Sequence, residues 1–577
     1  MSNPLLLPEI VASVIDNVHL VPDLLNCACV NHIWNVAALK KLYKGSLNDM
    51  QFRTPDIGSL NCLFVASRKR FARNMSFVKD LLISPKRPVI DELALPIKRL
   101  VCNEECCMLR HLNDAELLLR PQGRGLASLV IPFRIMGQDW PLNIRDLLLT
   151  PTIEYLAIDN YHCDDVIGSF RYSKITPSDK FSNLKALTVY KSRGDIYFLC
   201  KLLESCDLQF FHLEEQSESL TQSDAAPLLS RLQRHQNLKA LALIVRHSSL
   251  PLESTSAWPR LKAVYLATGD QHWLEQLPKF DELQILSLQN LALNSPIMDQ
   301  NAIEYIAKCR HLRVIDLHSL ELDDTEALLD IARSCPLLQK FSVTRLHLRG
   351  GHNLEELLFN LLRALPQLEF LALDLKFQMN GAKLRDLAHH CPRLVVLDLP
   401  QTQLCLSRAI MTNLDPLWHL ESMSFEKVYF KDPQHLMQSN NFKSLAAEWR
   451  RIFPRLRELP CPYDAHSLYT SQDDLSQESD GAHASAGADE EMSLSEPGLD
   501  FPGLDFDDYD TDWYNLRTVL WKFLGYDKYE NDRGKIQYMW QTDLEIEAIG
   551  WPVVPLAAFC DPELHSTTAK PFQYMEV

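Results

Sequence analysis

The sequence predicts an α/β fold: parallel strands alternating with helices in a solenoid, preceded by a small three-helix segment. Three observations lead there. A six-residue pattern with apolar first, fourth and sixth places returns along the middle of the 577-residue chain. Amphipathic stretches of helical length separate its copies. Residues 7–43 show apolar spacing of a different, purely helical kind.

In that N-terminal stretch Ile10, Val11, Val14, Ile15 and Val18 follow Pro8 at helical spacing, with the proline at an early helical position. Asp23 reads as the N-cap of a second helix carrying Leu24, Leu25 and Ala28. A third carries Val30, Ile33, Trp34, Ala37, Ala38 and Leu42. Three short helices bury little surface alone, so they need a partner or the adjoining domain. Leu7-Pro8-Glu9-Ile10, then Asp23-Leu24-Leu25, then Val30 ahead of Ile33-Trp34, resembles an F-box. The ending from Ala37-Ala38-Leu39 to Leu42-Tyr43 is most similar to the fungal form. The turn His19-Leu20-Val21-Pro22 departs from the polar loop common in that family. The resemblance implies docking onto a Skp-type adaptor of a cullin–RING ubiquitin ligase. Leu7, Pro8, Ile10, Val11, Leu24, Leu25, Val30 and Trp34 would then form or line the docking surface. The other reading is a helical cap packed on the adjoining domain.

The repeat begins clearly at Leu184-Lys-Ala-Leu-Thr-Val189 and recurs from Leu238, Leu261, Leu283, Leu312, Leu338, Leu368, Leu394 and Leu420. Leu208 to Leu213 is a degenerate copy, and Ile97, Leu126 and Ile153 start earlier ones. Leu184 to Leu420 spans nine intervals of about 26 residues, within the leucine-rich repeat range. Helices are expected over Ala302 to Cys309, Glu326 to Cys335, Leu354 to Leu365 and Lys383 to Cys391. Pro336, Pro366 and Pro392 stop three of them and turn the chain toward the next strand. This layout resembles the leucine-rich repeats of F-box receptors. The rival is an ordinary α/β domain with parallel strands.

In such a repeat the residues between the leucines face the concave side, so places three, five and seven should point away from the core. Place three is largely apolar, with Phe210 and Phe370; place five holds Tyr265, Asp316 and Asp398; place seven holds His318, Asp374 and Glu426. Places five and seven carry acids and no Lys or Arg. A client protein with a basic, partly apolar segment fits those eight residues. Equally, the acids are solvated or paired with basic residues of the helices.

The expected organisation is an F-box over 1–45, a helical linker over 46–95 and repeats over 96–466. An acidic disordered linker over 467–512 and a C-terminal α+β cap or lid over 513–577 complete it. The linker carries a tandem, Gly498-Leu-Asp-Phe501 and Gly503-Leu-Asp-Phe506. In the last part Trp513 to Phe523 reads as a helix, and 535–540 with 543–549 as a strand pair.

Composition bounds the function. Of the net charge of −17, fourteen acids with no bases lie between Asp473 and Asp512, leaving about −3 elsewhere. No basic face points to nucleic acid. No apolar run is long enough for a membrane span, and the opening residues lack a secretory signal pattern. Fifteen scattered cysteines suit a reducing compartment, cytoplasmic or nuclear. Arg68-Lys69-Arg70-Phe71-Ala72-Arg73 reads as a nuclear signal or as the solvated face of a helix. Phosphate loops, nucleophile elbows and H-E-x-x-H are absent, and Cys102, Cys106, Cys107 and His111 lack zinc-knuckle spacing. The expectation is a non-enzymatic receptor without cofactor or metal, working with a Skp-type adaptor, a cullin scaffold and a protein client.

Overall fold

The computed structural model describes residues 7–18, 21–44, 62–63, 65–78, 80–83, 99–102, 127–131, 152–159, 181–192, 196–215, 222–244, 258–266, 271–288, 300–349, 353–430, 439–457, 544 and 547–548. The chain divides into two compact units, 1–350 with 531–577, and 351–530.

The first unit opens with α1 (Pro8–Asp16), α2 (Val21–Ala28) and α3 (His32–Lys44). Pro8 stands at the start of α1, where its missing N–H costs nothing. Helix α2 begins at Val21, so Asp23 lies in its first turn and is not the N-cap. Its carboxylate still suits the positive end of the helix. Val30 lies outside α3, whose cap is Asn31: its Oδ1 accepts the backbone N–H groups of Ile33 and Trp34. Val11, Ile15, Leu24 and Ala38 form the core of the three helices, with Trp34 and Leu42 packed against it. Lys41 Nζ donates to the carbonyls of Ile15, Asp16 and Val18, placing a cation on the negative end of α1.

Helix α4 (Arg68–Met75) packs against α3. It buries Phe71, Asn74 and Met75 and exposes its four basic residues. Next come β1 (Asp80–Ile83), β2 (Arg99–Cys102), β3 (Ser128–Ile131), β4 (Tyr155–Asp159) and β5 (Ala186–Ser192). The rest of the unit alternates α5 (Ile196–Leu203), β6 (Phe210–Glu215), α6 (Gln222–Leu232), β7 (Ala240–Ile244) and β8 (Ala263–Leu266). It continues with α7 (Gln271–Gln276), β9 (Ile285–Leu288), α8 (Gln300–Ile306), β10 (Val314–Leu322), α9 (Glu326–Ser334) and β11 (Lys340–Leu348). Each strand from β1 to β10 pairs in parallel with the next. The sheet therefore starts one repeat earlier than the copy expected at Ile97, inside the stretch read as a helical linker. Val78-Lys-Asp-Leu-Leu-Ile83 keeps the apolar first, fourth and sixth places, and Val78 N donates to Met75 O at 3.1 Å in a tight turn, so this copy fits the template.

The second unit holds α10 (Leu354–Ala364), β12 (Phe370–Leu373), β13 (Gln378–Asn380), α11 (Leu384–His390), β14 (Val396–Leu406), α12 (Arg408–Thr412), β15 (Ser422–Phe430) and α13 (Ser439–Ile452). Strand β14 pairs in parallel with β12, β13 and β15. Both units are leucine-rich repeats of parallel strands, with helices between many of the described strands.

Two backbone devices repeat. The carbonyl at place two of one repeat accepts the N–H groups at places two and three of the next. Gln284 O takes Arg313 N at 2.7 Å and Val314 N at 3.0 Å, and Arg313 O takes Gln339 N and Lys340 N. In the second unit Glu369 O takes Val395 N and Val396 N in the same way. The other device is a tight turn in which the first leucine donates to a residue three places back: Leu338 N to Cys335 O, Leu394 N to Cys391 O. That slot is filled by buried Phe181, Trp258, Phe280, Cys309, Cys335, Leu365 and Cys391. His235 occupies it too, and its Nδ1 accepts the Leu208 N–H at 3.1 Å. The turn recurs at Phe453–Leu456, one repeat beyond Leu420.

Strands β10 and β11 bend at equivalent residues, Ser319 and Arg345, both with left-handed backbone (φ 61° and 52°). Pairing resumes beyond them at Leu320 and Leu346. The matched bends keep two neighbouring strands in register through an otherwise costly conformation.

The helix-end cysteines are core residues. Cys335 Sγ reaches Cys309 O at 3.4 Å, and Cys391 Sγ reaches Leu362 O and Leu365 O at 3.5 Å. Burial pushes the thiols of Cys309, Cys335 and Cys391 up to about 12. Since the thiolate is the reactive form, iodoacetamide should label exposed Cys29 and Cys62 in the native protein. Those three buried cysteines should label only after denaturation, as read by peptide mass spectrometry.

Candidate protein-interaction surfaces

The eight adaptor-type residues separate into two groups. Val11 and Leu24 are fully buried and Trp34 packs on the same core, so these three hold the helices together. Leu7, Ile10, Leu25 and Val30 are open to solvent at 42%, 43%, 52% and 61%, and Pro8 is exposed beside them. Val14 and Val21 add two more exposed apolar side chains on the same helices. Among the described residues, most large apolar side chains left in water belong to this short segment. Apolar groups so concentrated are the mark of a surface that another protein covers.

The eight client-type residues are also divided. Phe210, Tyr265 and Phe370 are each 1% exposed, and Asp316 is 6% exposed. Places three and five do point away from the leucine core, but both faces of these strands are buried, as β8 and β9 illustrate along their length. Those four side chains thus present almost no surface. His318, Asp374, Asp398 and Glu426 remain partly exposed. His318 Nδ1 lies 2.8 Å from Thr344 Oγ1, and Glu426 accepts from Gln403 Nε2 at 3.1 Å.

Asp316 has a basic partner close by. Lys340, at place three of the next strand, is wholly buried with its Nζ 3.5 Å from Asp316 Oδ2. The acid is paired with a base, though the base sits on the neighbouring strand and not on a helix. His212, at place five of β6, is buried, and loss of hydration drops its pKa to about 3. It is therefore neutral at physiological pH.

Among the described residues no cluster of three or more His, Cys, Asp or Glu could hold a metal. Of the cysteine–histidine group only Cys102 is described, in β2. Among the described residues no helix is long and apolar enough to cross a membrane. The acidic linker, the Trp513 to Phe523 helix and the first of the two expected C-terminal strands lie outside the described residues. The second expected strand is corrected: Leu544, Glu547 and Ala548 are helical. Leu, Glu and Ala are strong helix formers, and their i, i+3, i+4 spacing puts the three on one face.

No family model matches the chain, and no curated protein matches it. Among solved structures it is similar to an internalin from Listeria monocytogenes, at 13% identity over 72% of this chain and 97% of that one, with a TM-score of 0.32. It is also similar to the TLR13–ssRNA13 complex, at 17% identity over 67% of this chain and 53% of that one, with a TM-score of 0.31. The fold assignment rests on the chain's own repeats.

The buried pair gives a stability test. Asp316→Ala leaves the Lys340 ammonium buried without that carboxylate and should cost about 3 kcal/mol in urea unfolding. Adding Lys340→Met to Asp316→Ala should restore most of the loss. Equal stability of the single variant and wild type would show that the pair does not hold β10 to β11.

Proposed function

We propose that this protein is the substrate-recognition subunit of a cullin–RING, SCF-type ubiquitin ligase. Helices α1–α3 dock on a Skp-type adaptor, and the leucine-rich repeats hold the client. The observation that carries the reading is the set of exposed apolar side chains, Leu7, Ile10, Leu25 and Val30, that falls on an F-box-like pattern. A helix pair that buries one stripe on its own core and leaves a second in water needs an outside partner.

The protein itself supplies no chemistry in this role. It holds a client lysine near the charged ubiquitin carrier on the cullin scaffold, and the tether raises the effective concentration of one for the other. Client contact falls to residues with reachable surface: His318 in the first unit, and Asp374, Asp398 and Glu426 in the second, where a basic client segment complements the acids. The rival reading, a repeat scaffold whose N-terminal helices are only a cap, predicts that these apolar side chains are covered by the chain's own repeats.

Ile10→Glu and Leu25→Glu act on exposed side chains and should leave thermal unfolding unchanged. Each should weaken co-purification with a Skp-type adaptor at least tenfold, about 1.4 kcal/mol. Failure of the wild-type chain to retain adaptor would remove the ligase reading in favour of the scaffold.

A further inference from the structure

At the N-terminal ends of the strands, place two of the repeats forms a lane along the edge of the sheet. From Lys185 to Gln339 this lane carries Lys239, Lys262 and Arg313 with glutamines between them and no acid. Neighbouring strands lie about 4.8 Å apart, so these are closely spaced positive and amide groups. Arg313 is the best positioned of them. Its Nε donates to Gln339 Oε1 at 3.0 Å, which fixes the guanidinium and leaves its outer nitrogens for another partner. That partner comes from far along the sequence: Arg313 Nη1 lies 3.2 Å from Glu547 Oε1. Leu544 and Ala548, on the same face of the helical turn as Glu547, are buried at 6% and 8% exposure. Residues 531–577 belong to the same compact unit as this edge.

We propose that the Arg313–Gln339 edge is a docking surface for an acidic amphipathic helical segment, occupied in this chain by its own Leu544, Glu547 and Ala548. The segment offers two apolar residues four places apart and a carboxylate between them. The lane supplies the complementary charge. The ion pair is solvent-exposed, 23% on Arg313 and 69% on Glu547, so water and salt screen it. An ion pair this exposed is displaceable. A partner carrying the same Leu-x-x-Glu-Ala chemistry competes for the edge, and the C-terminal turn is the strap that such a partner must lift. This holds whether or not α1–α3 bind an adaptor.

Hydrogen exchange on the full chain tests the strap. The amides of 544–548 should be protected in wild type, exchange at least tenfold faster in Glu547→Arg, and regain protection when Arg313→Glu is added. A labelled synthetic peptide spanning 540–552 should bind the Leu544→Glu/Glu547→Arg chain at least tenfold more tightly than wild type, and should fail to bind an Arg313→Glu chain. Glu547 and Arg313 are surface residues, so loss of folding is not expected. Exchange unchanged by Glu547→Arg, or equal peptide binding to every chain, would overturn the proposal. Protection that falls on dilution would also overturn it, because the turn would then belong to a second copy.

Discussion

The repeats depend on a backbone carbonyl at place two that accepts two N–H groups from the next strand, as at Lys185, Lys262, Gln284, Arg313, Glu369 and Val395. The double acceptance ties each repeat to its neighbour just where a helix or turn hands over to a strand. It leaves no freedom of register, and register decides which side chains face the leucine core. Once it is set, the first leucine can close its tight turn and the slot three residues earlier must be filled by something buried. Cysteine, tryptophan, phenylalanine, leucine and histidine all serve there, because the slot asks for volume and a compatible turn rather than for one side chain. Trp258 shows the fit: its Nε1 donates to Leu232 O at 2.9 Å and its ring stacks near Trp273.

The same constraint explains how much of the fold is legible in the sequence. Leucine spacing is set by core packing, so strands starting near Ala186, Ala263, Val314 and Val396 follow from it, as do the helices ended by prolines 336, 366 and 392. Copies at the two ends of the run are harder to pick out, although Val78-Lys-Asp-Leu-Leu-Ile83 keeps the apolar places and the tight turn recurs at Phe453–Leu456. Periodicity also says which face a residue points to, but not what covers that face. Phe210, Tyr265 and Phe370 point as expected and are nonetheless buried. Lys340 is hidden for a related reason: a lysine at an apolar place looks like an outlier until the buried Asp316 on the adjacent strand gives it a partner. The C-terminal turn misleads because Leu544 and Ile546 alternate like a strand while Leu544 and Ala548 are spaced like a helix.

The N-terminal helices present the opposite balance. Their core is small, Val11, Ile15, Leu24 and Ala38, and Lys41 must reach across to finish the end of α1. A segment this short cannot bury all its apolar residues in itself. What distinguishes it is where the remainder lies: at Leu7, Ile10, Val14, Val21, Leu25 and Val30, in water. Residues that the F-box resemblance groups together thus separate into those that build the helices and those that face outward. Only the outward set can determine a partner.

The central claim is that this outward set is a recognition surface for a Skp-type adaptor. Titration calorimetry of the full chain with purified adaptor, repeated between 10 and 30 °C, tests it most directly. Burial of the apolar patch predicts saturable one-to-one binding with a negative heat-capacity change. The absence of saturable heat at every temperature, with the helices folded by circular dichroism, would contradict it.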